Sequence, residues 1–285
     1  MRRPLNSQPV ALCAGSPLKA YPMDAARPSA PSATVSTRRS PAKGWATRAG
    51  SAPAAHHVLT PRDPEILRWI GRYGMVSTEQ IARRWFHRET TGGSWTTSGA
   101  YRRVQALETM GLLQRDQLYL RGPHILRLTP KGARLAGPGV RPARLVPATV
   151  GHALAVVDLA EELLARFPDA VLLTEREIRS DQIRARRSHG ATGPILKRVP
   201  DAMLRLSTGD MMAIELDHTP KTTKDIERIA SAYYAHFPSI FKGVWWYAPP
   251  GRPAARVRAT VGNSGFSRFI TVEEWPQEHH GEEGV

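Results

Sequence analysis

The feature that most constrains this chain is a break in composition after residue 57. Pro, Ala, Ser and Gly fill 31 of the first 57 positions, and large apolar side chains are scarce there. A segment of that kind cannot bury enough apolar surface to offset the entropy lost on ordering. Residues 1–57 are therefore expected to be a disordered tail, and the folded part is expected to begin at residue 58. The tail holds eight Lys/Arg against one acid, Asp24, so it carries nearly half of the chain's net charge of +15. A balance this basic points to a polyanionic partner, most often nucleic acid. At the other end, residues 276–285 read as a short acidic, frayed tail.

Residues 58–136 read as short helices followed by extended runs. Thr60-Pro61 and Asp63-Pro64 each offer a cap and a first-turn proline. Ile66, Trp69, Ile70 and Tyr73 then share one helix face, and Gly74 stops the helix. Ser77-Thr78-Glu79-Gln80 is a capping box for a second helix that turns Ile81 and Trp85 inward. After a polar stretch, Thr90 to Thr97, a third helix carries Ala100, Val104, Leu107 and Met110 on one stripe, with Arg102, Arg103 and Gln105 outside it. Gly111 ends it. Two extended runs, Gln117 to Leu120 and His124 to Leu128, flank Arg121-Gly122-Pro123 and predict a hairpin. Thr129-Pro130 opens a short helix with Lys131 and Arg134. Three helices and a hairpin is the order of a winged helix-turn-helix, whose third helix enters the major groove of DNA. Arg102 and Arg103 would then meet bases or phosphates, and Arg121 and Lys131 would meet phosphates.

Residues 137–148, with three prolines and two glycines, read as a linker. A second domain is expected over 149–275. It opens with an apolar helix (Ala153, Leu154, Val157, Ala160, Leu163, Leu164) and a strand, Val171 to Thr174. A polar, basic connection covers 179–198 and includes Arg179, Arg184, Arg186, Arg187, Lys197 and Arg198. Of these, Arg186 and Arg187 are assigned to the DNA backbone. Two strands follow (Asp201 to Leu206, Met211 to Asp217), then a helix (Thr222 to His236) and a strand (Val244 to Tyr247). A Pro/Arg segment precedes a last strand, Phe269 to Val272. The fold class is α/β, of the mixed α+β kind.

The chemistry concentrates in three acids. Glu215 and Asp217 lie two residues apart on one strand, so they share a sheet face, and Asp201 can approach Glu215 from the neighbouring strand. Carboxylates held on rigid strands suit Mg²⁺ or Mn²⁺. Such an ion lowers the pKa of a bound water and neutralises charge on a phosphodiester. The same spacing also fits an acidic strand edge bathed in solvent.

Pro200-Asp201 followed by Glu215-Leu216-Asp217 resembles the PD-(D/E)xK nuclease pattern. Together with Val199-Pro200-Asp201-Ala202, Ala213-Ile214-Glu215-Leu216-Asp217, a Lys-bearing helix after them, and a helix opening Gly151-His152-Ala153-Leu154, residues 58–275 resemble the plasmid replication-relaxation family, which is related to MobC-type relaxases of mobilisable plasmids. The resemblance implies a winged helix joined to a restriction-endonuclease-like αβββαβ domain. It also implies Asp201 and Glu215 as metal ligands and nicking of double-stranded DNA at a plasmid origin, with relaxosome or replication proteins as partners in the cytoplasm. One position departs from the nuclease pattern. A lysine is expected two residues after the glutamate, where it would position water and stabilise negative charge, and Asp217 stands there instead. Asp217 would extend the acid site, and Lys224, or Lys221 before it, would supply the positive charge. The same departure fits the alternative, a DNA-binding regulator or relaxosome accessory that kept the fold without cutting.

Other chemistries find little support. A single cysteine, Cys13, builds neither a disulfide framework nor a Cys-rich zinc module. No apolar run reaches the length of a membrane span, and the first residues do not form a secretory signal. Gly92-Gly93 lacks the Lys-Ser/Thr of a phosphate loop. No two histidines are separated by one apolar residue. His152 reads as a cap or a group that orients a ligand, Tyr233 and Tyr234 as core, and Glu161 and Glu162 as a solvated helix face.

Overall fold

In the computed structural model, the described residues are 57–86, 98–118, 120, 122–189 and 196–275. The two expected tails (apart from His57), the polar stretch Thr90 to Thr97, Arg121 and residues 190–195 of the expected basic connection lie outside them. The described residues form a mixed α/β structure with eight helices and two sheets.

The first part comprises α1 (Asp63–Tyr73), β1 (Met75–Ser77), α2 (Thr78–Trp85), α3 (Ser98–Thr109), β2 (Leu113–Asp116), β3 (Ile125–Leu128) and α4 (Pro130–Ala136). Gly74 ends α1 at φ 88°, which a side chain would resist. The capping box is present in both directions: Gln80 N donates to Ser77 Oγ at 3.1 Å, and Ser77 N donates to Gln80 Oε1 at 2.9 Å. The sheet order is β1-β3-β2, antiparallel throughout. The short strand β1 was not expected, because three fully buried residues show no alternation. The hairpin's first strand lies four residues earlier than expected. Leu112 and Leu113 enter the core directly after Gly111, and Arg127 donates to Asp116 at 2.7 and 2.9 Å. Residues 117 and 118 and Leu120 belong to the connection instead, and Leu120 is 98% exposed. Gly132 lets α4 close on the sheet, since a Cβ there would stand 2.0 Å from the Leu112 carbonyl oxygen.

The second part runs α5 (Pro147–Arg166), β4 (Val171–Thr174), α6 (Glu175–His189), β5 (Ala202–Arg205), β6 (Met211–Leu216), α7 (Thr223–Tyr234), β7 (Gly243–Ala248), α8 (Arg252–Asn263) and β8 (Ile270–Glu274). Its sheet order is β4-β5-β6-β7-β8. The first three strands are antiparallel, and β6, β7 and β8 are parallel, with α7 and α8 as crossovers. Two helices correct the sequence reading. α6 occupies much of the supposed basic connection; Ile178 is its one buried large apolar residue and Ile183 is 53% exposed, so it shows almost no apolar period. α8 fills the Pro/Arg segment, where Pro253 starts a helix rather than breaking one. No helix among the described residues is long and apolar enough to cross a membrane.

α5 buries two faces. Val150 and Leu154 pack with Met75 and Ile125, and Val157 joins the core of the first sheet. Leu159, Ala160 and Leu163 pack against Leu172, Leu204 and Ile214 of the larger sheet. A polar seam follows the same contact. Gln80 Nε2 donates to Leu154 O and Asp158 Oδ1, both at 2.9 Å. Arg83 pairs with Asp158, and Arg84 and the Trp69 indole meet Glu161, so Glu161 is not the free surface group expected. Arg72 grips Glu177 at 2.7 and 3.2 Å and the Leu172 carbonyl at 2.7 Å.

Asp63, wholly buried at the start of α1, accepts hydrogen bonds from Thr60 and from Arg103 of α3. Burial alone would raise its pKa, but those hydrogen bonds and the Arg103 charge outweigh it and lower the pKa. A depressed carboxyl stabilises the fold above its unfolded pKa, and that contribution is lost as pH falls through the folded value. Arg103→Ala should therefore cost about 3 kcal/mol in urea unfolding at neutral pH by stranding a buried carboxylate. The gap from wild type should narrow in acid. An Arg103→Ala chain as stable as wild type at neutral pH would show that the pair does not hold α3 to α1.

Candidate functional site

Strands β5 and β6 bring the acids together. Ala202 pairs with Ile214, and the Asp201 amide donates to the Ile214 carbonyl at 3.1 Å, which carries the pairing one residue further and sets Asp201 opposite Glu215. Asp201 Oδ2 accepts the Leu216 amide at 2.8 Å, and Oδ1 meets His152 Nε2 of α5 at 3.2 Å. Glu215, 1% exposed, accepts hydrogen bonds on both oxygens. Arg198 donates to Oε1 and, at 3.2 Å, to Oε2, and the Tyr233 hydroxyl of α7 donates to Oε2 at 2.6 Å. Asp217, 2% exposed just beyond β6, is paired with Lys221, and its amide donates to the Tyr247 carbonyl at 2.8 Å. Gly151 makes room for a second imidazole: a Cβ there would stand 2.6 Å from His218 Nε2, and the His152 and His218 rings lie edge-on at 6.5 Å.

The electrostatics follow from burial. Burial, then the neighbouring Asp201 charge, pushes the Glu215 pKa up against the pull of Arg198 and Tyr233. Burial likewise raises Asp217 against Lys221. For His152, burial lowers the pKa, but the hydrogen bond and charge of Asp201, helped by Glu215, outweigh it and raise it. Burial and then Glu215 hold the Tyr233 hydroxyl well above its ordinary value, so it stays a donor. Three carboxylates are thus matched by Arg198, Lys221 and His152.

That arrangement bears on the metal expected at Asp201 and Glu215. A divalent ion needs carboxylate oxygens with free lone pairs, and its ligands must be close together. Both Glu215 oxygens already accept from Arg198 and Tyr233, and Asp217 is engaged by Lys221. Among the described residues, no group of three or more His, Cys, Asp or Glu is placed to hold a metal ion. As arranged, the donor set does not fit Mg²⁺ or Mn²⁺.

The remaining candidates fall apart from this cluster. Lys224 is exposed on the first turn of α7, and Lys221 is the cation that reaches an acid. Arg102 is exposed on α3, in a solvent-facing stripe with Ser98, Gln105 and Thr109, whereas Arg103 is taken up by Asp63. Lys131 is exposed and donates to the Met110 carbonyl at 2.9 Å, beside the end of α3. Arg186 and Arg187 are exposed on α6, as are Arg179 and Arg184. The sequence reading did not single out Arg198, Tyr233 or His218 as site residues. Tyr233 did leave a trace: it lies on the apolar stripe of α7 with Ile226, Ile229 and Ala230, and a buried tyrosine there needs an acceptor for its hydroxyl.

Arg198→Met keeps an unbranched apolar stem but leaves Glu215 buried without its cation, and should cost about 3 kcal/mol in urea unfolding. Glu215→Gln added to it should cost less than the sum of the two single changes. Strict additivity in that double-mutant cycle would show that the two side chains do not depend on each other.

The replication-relaxation family's sequence profile matches residues 67–239, from within α1 to just beyond α7. No curated protein and no solved structure matches the chain. Matched over more than half its length, the chain belongs to the replication-relaxation family.

Proposed function

We propose that this protein binds double-stranded DNA at a plasmid origin and serves plasmid replication or mobilisation in the cytoplasm, alongside other replication or relaxosome proteins. The observation that carries this reading is the solvent-facing stripe of α3 (Ser98, Arg102, Gln105, Thr109), displayed by helices and an antiparallel β-ribbon as in a winged helix-turn-helix. Arg102 is the cation of that stripe, and Lys131 flanks it as a phosphate contact; Arg121, outside the described residues, is proposed as a further phosphate contact. The exposed arginines of α6, with Arg186 and Arg187 among them, supply a second row for the backbone. The order α5, β4, β5, β6, α7, β7, with α6 added after β4, supports a nuclease-like domain. Its acids are satisfied internally, which favours a domain that holds DNA.

Metal-dependent nicking is the second reading, favoured by the opposition of Asp201 and Glu215 across β5 and β6. In it Asp201 and Glu215 bind Mg²⁺ or Mn²⁺, Asp217 extends the site and Lys224 stabilises charge. It requires Arg198 to leave Glu215.

Anisotropy titrations with an origin duplex test the first reading. Arg102→Ala should weaken binding by about tenfold, and Arg186→Ala with Arg187→Ala should flatten the salt dependence by about one unit per lost phosphate contact. Unchanged affinity in Arg102→Ala would mean that another element enters the groove. Supercoiled origin plasmid with Mg²⁺, Mn²⁺ or EDTA should stay intact. Metal-dependent nicking lost in both Asp201→Ala and Glu215→Ala would replace the first reading with the second.

A further inference from the structure

At the end of the larger sheet where β6 and β7 begin, away from the acids, lies an aromatic surface that the DNA contacts above do not use. α7 starts beside Asp217 and runs about 18 Å to Tyr234. Tyr233 points into the core, while the next residue, Tyr234, is 42% exposed. Its ring does not hang free. It lies 5.6 Å from Phe269 and 5.9 Å from Phe266, tilted against both, and Phe237 stacks on Phe269 at 5.0 Å. Phe269 is buried and fixes the group from below, so the Tyr234 ring is held with little freedom left to lose.

Cations frame this surface. The Arg268 guanidinium lies over the Tyr234 ring, 5.1 Å from its centre, and donates to its hydroxyl. Lys242 is exposed at the same end of the sheet, its amide bonded to the Met211 carbonyl at 2.9 Å, and Met211 pairs across the sheet with the exposed Arg205. Among the described residues, none of these three cations has an acidic partner within ion-pair distance.

We propose that Tyr234, backed by Phe266 and Phe269 and joined by Arg268, is a stacking platform for an unpaired base of single-stranded DNA, with Lys242 and Arg205 meeting its phosphates. A rigid exposed ring offers a face to any unstacked base, and a planar guanidinium can both stack and pair with phosphate. A duplex does not fit as well, because its bases are already stacked on one another. The proposal rests on the chain being a DNA binder but concerns a surface separate from α3 and α6.

The full chain is titrated with fluorescein-labelled oligo(dT) and, separately, with the origin duplex. Tyr234→Ala should weaken oligo(dT) binding by about tenfold and leave duplex binding within about twofold. Tyr234→Trp should preserve oligo(dT) binding. Arg268→Gln, which leaves Tyr234 against Phe266 and Phe269, should weaken it several-fold while the chain stays folded by circular dichroism, so the proposal does not hang on the folding of Tyr234→Ala. Oligo(dT) affinity unmoved by both Tyr234→Ala and Arg268→Gln would overturn the proposal while retained duplex binding left the DNA reading intact. Equal losses on duplex and oligo(dT) would also overturn it, assigning the surface to backbone contact. A chain that binds neither nucleic acid would sink both.

Discussion

The structure depends on one helix having two buried sides. An amphipathic surface helix buries a single stripe, but α5 gives Val150, Leu154 and Val157 to the three-stranded side and Leu159, Ala160 and Leu163 to the five-stranded side. It thus packs against both sheets. The polar seam is a consequence: with α5 held between two apolar layers, Gln80, Arg83 and Arg84 of α2 meet its flanking polar positions, Leu154 O, Asp158 and Glu161. His152 stands between Val150 and Leu154 on the same helix, so the packing that seats the first sheet also fixes the imidazole that meets Asp201. The acid cluster and the α3 surface are thereby tied to one rigid element.

The acid cluster illustrates how a buried charge survives. Desolvation works against each of Glu215 and Asp217, and removal from water costs several kcal/mol per ion unless partners replace the water. Here every carboxylate finds a donor: Arg198 and Tyr233 for Glu215, Lys221 for Asp217, His152 and the Leu216 amide for Asp201. The donors come from α5, from the segment before β5, from β6, from the connection after it and from α7. A network of that reach favours one arrangement of these elements over near alternatives, because any slip of one strand strands a charge.

Local signals in the sequence located much of this and missed what arises at long range. The Ser77–Gln80 capping box, the stop at Gly74 and the stripe of α3 are short-range chemistry and stand where the spacing put them. The meeting of Asp201 and Glu215 was legible because strand alternation and a hairpin decide it. The helix α6 was not, since it is held by i,i+4 charge pairs such as Glu175–Arg179 and by Ile178 rather than by an apolar period. Arg103 looked like a surface cation from its place outside the stripe. Its partner Asp63 lies forty residues away, and only the folded chain brings the two together.

The acid at position 217 gains meaning from the same logic. A lone carboxylate there would add negative field beside Asp201 and Glu215 and would repel a phosphate chain. Lys221, four residues on in the connection before α7, offsets that field, and Arg198 does the same for Glu215. Where the resemblance to the nuclease pattern would expect a free lysine, the nearby cation, Lys221, is already bound to its own acid. Such a pair can neither hold a free cation nor lend its charge to a transition state without first breaking an ion pair between largely buried groups. On the DNA-binding reading proposed above, a site neutralised in this way would let DNA lie against the domain without repulsion and would leave attraction to the exposed arginines of α3 and α6. On that reading, the charge that draws nucleic acid and the charge that holds the fold together are carried by different residues.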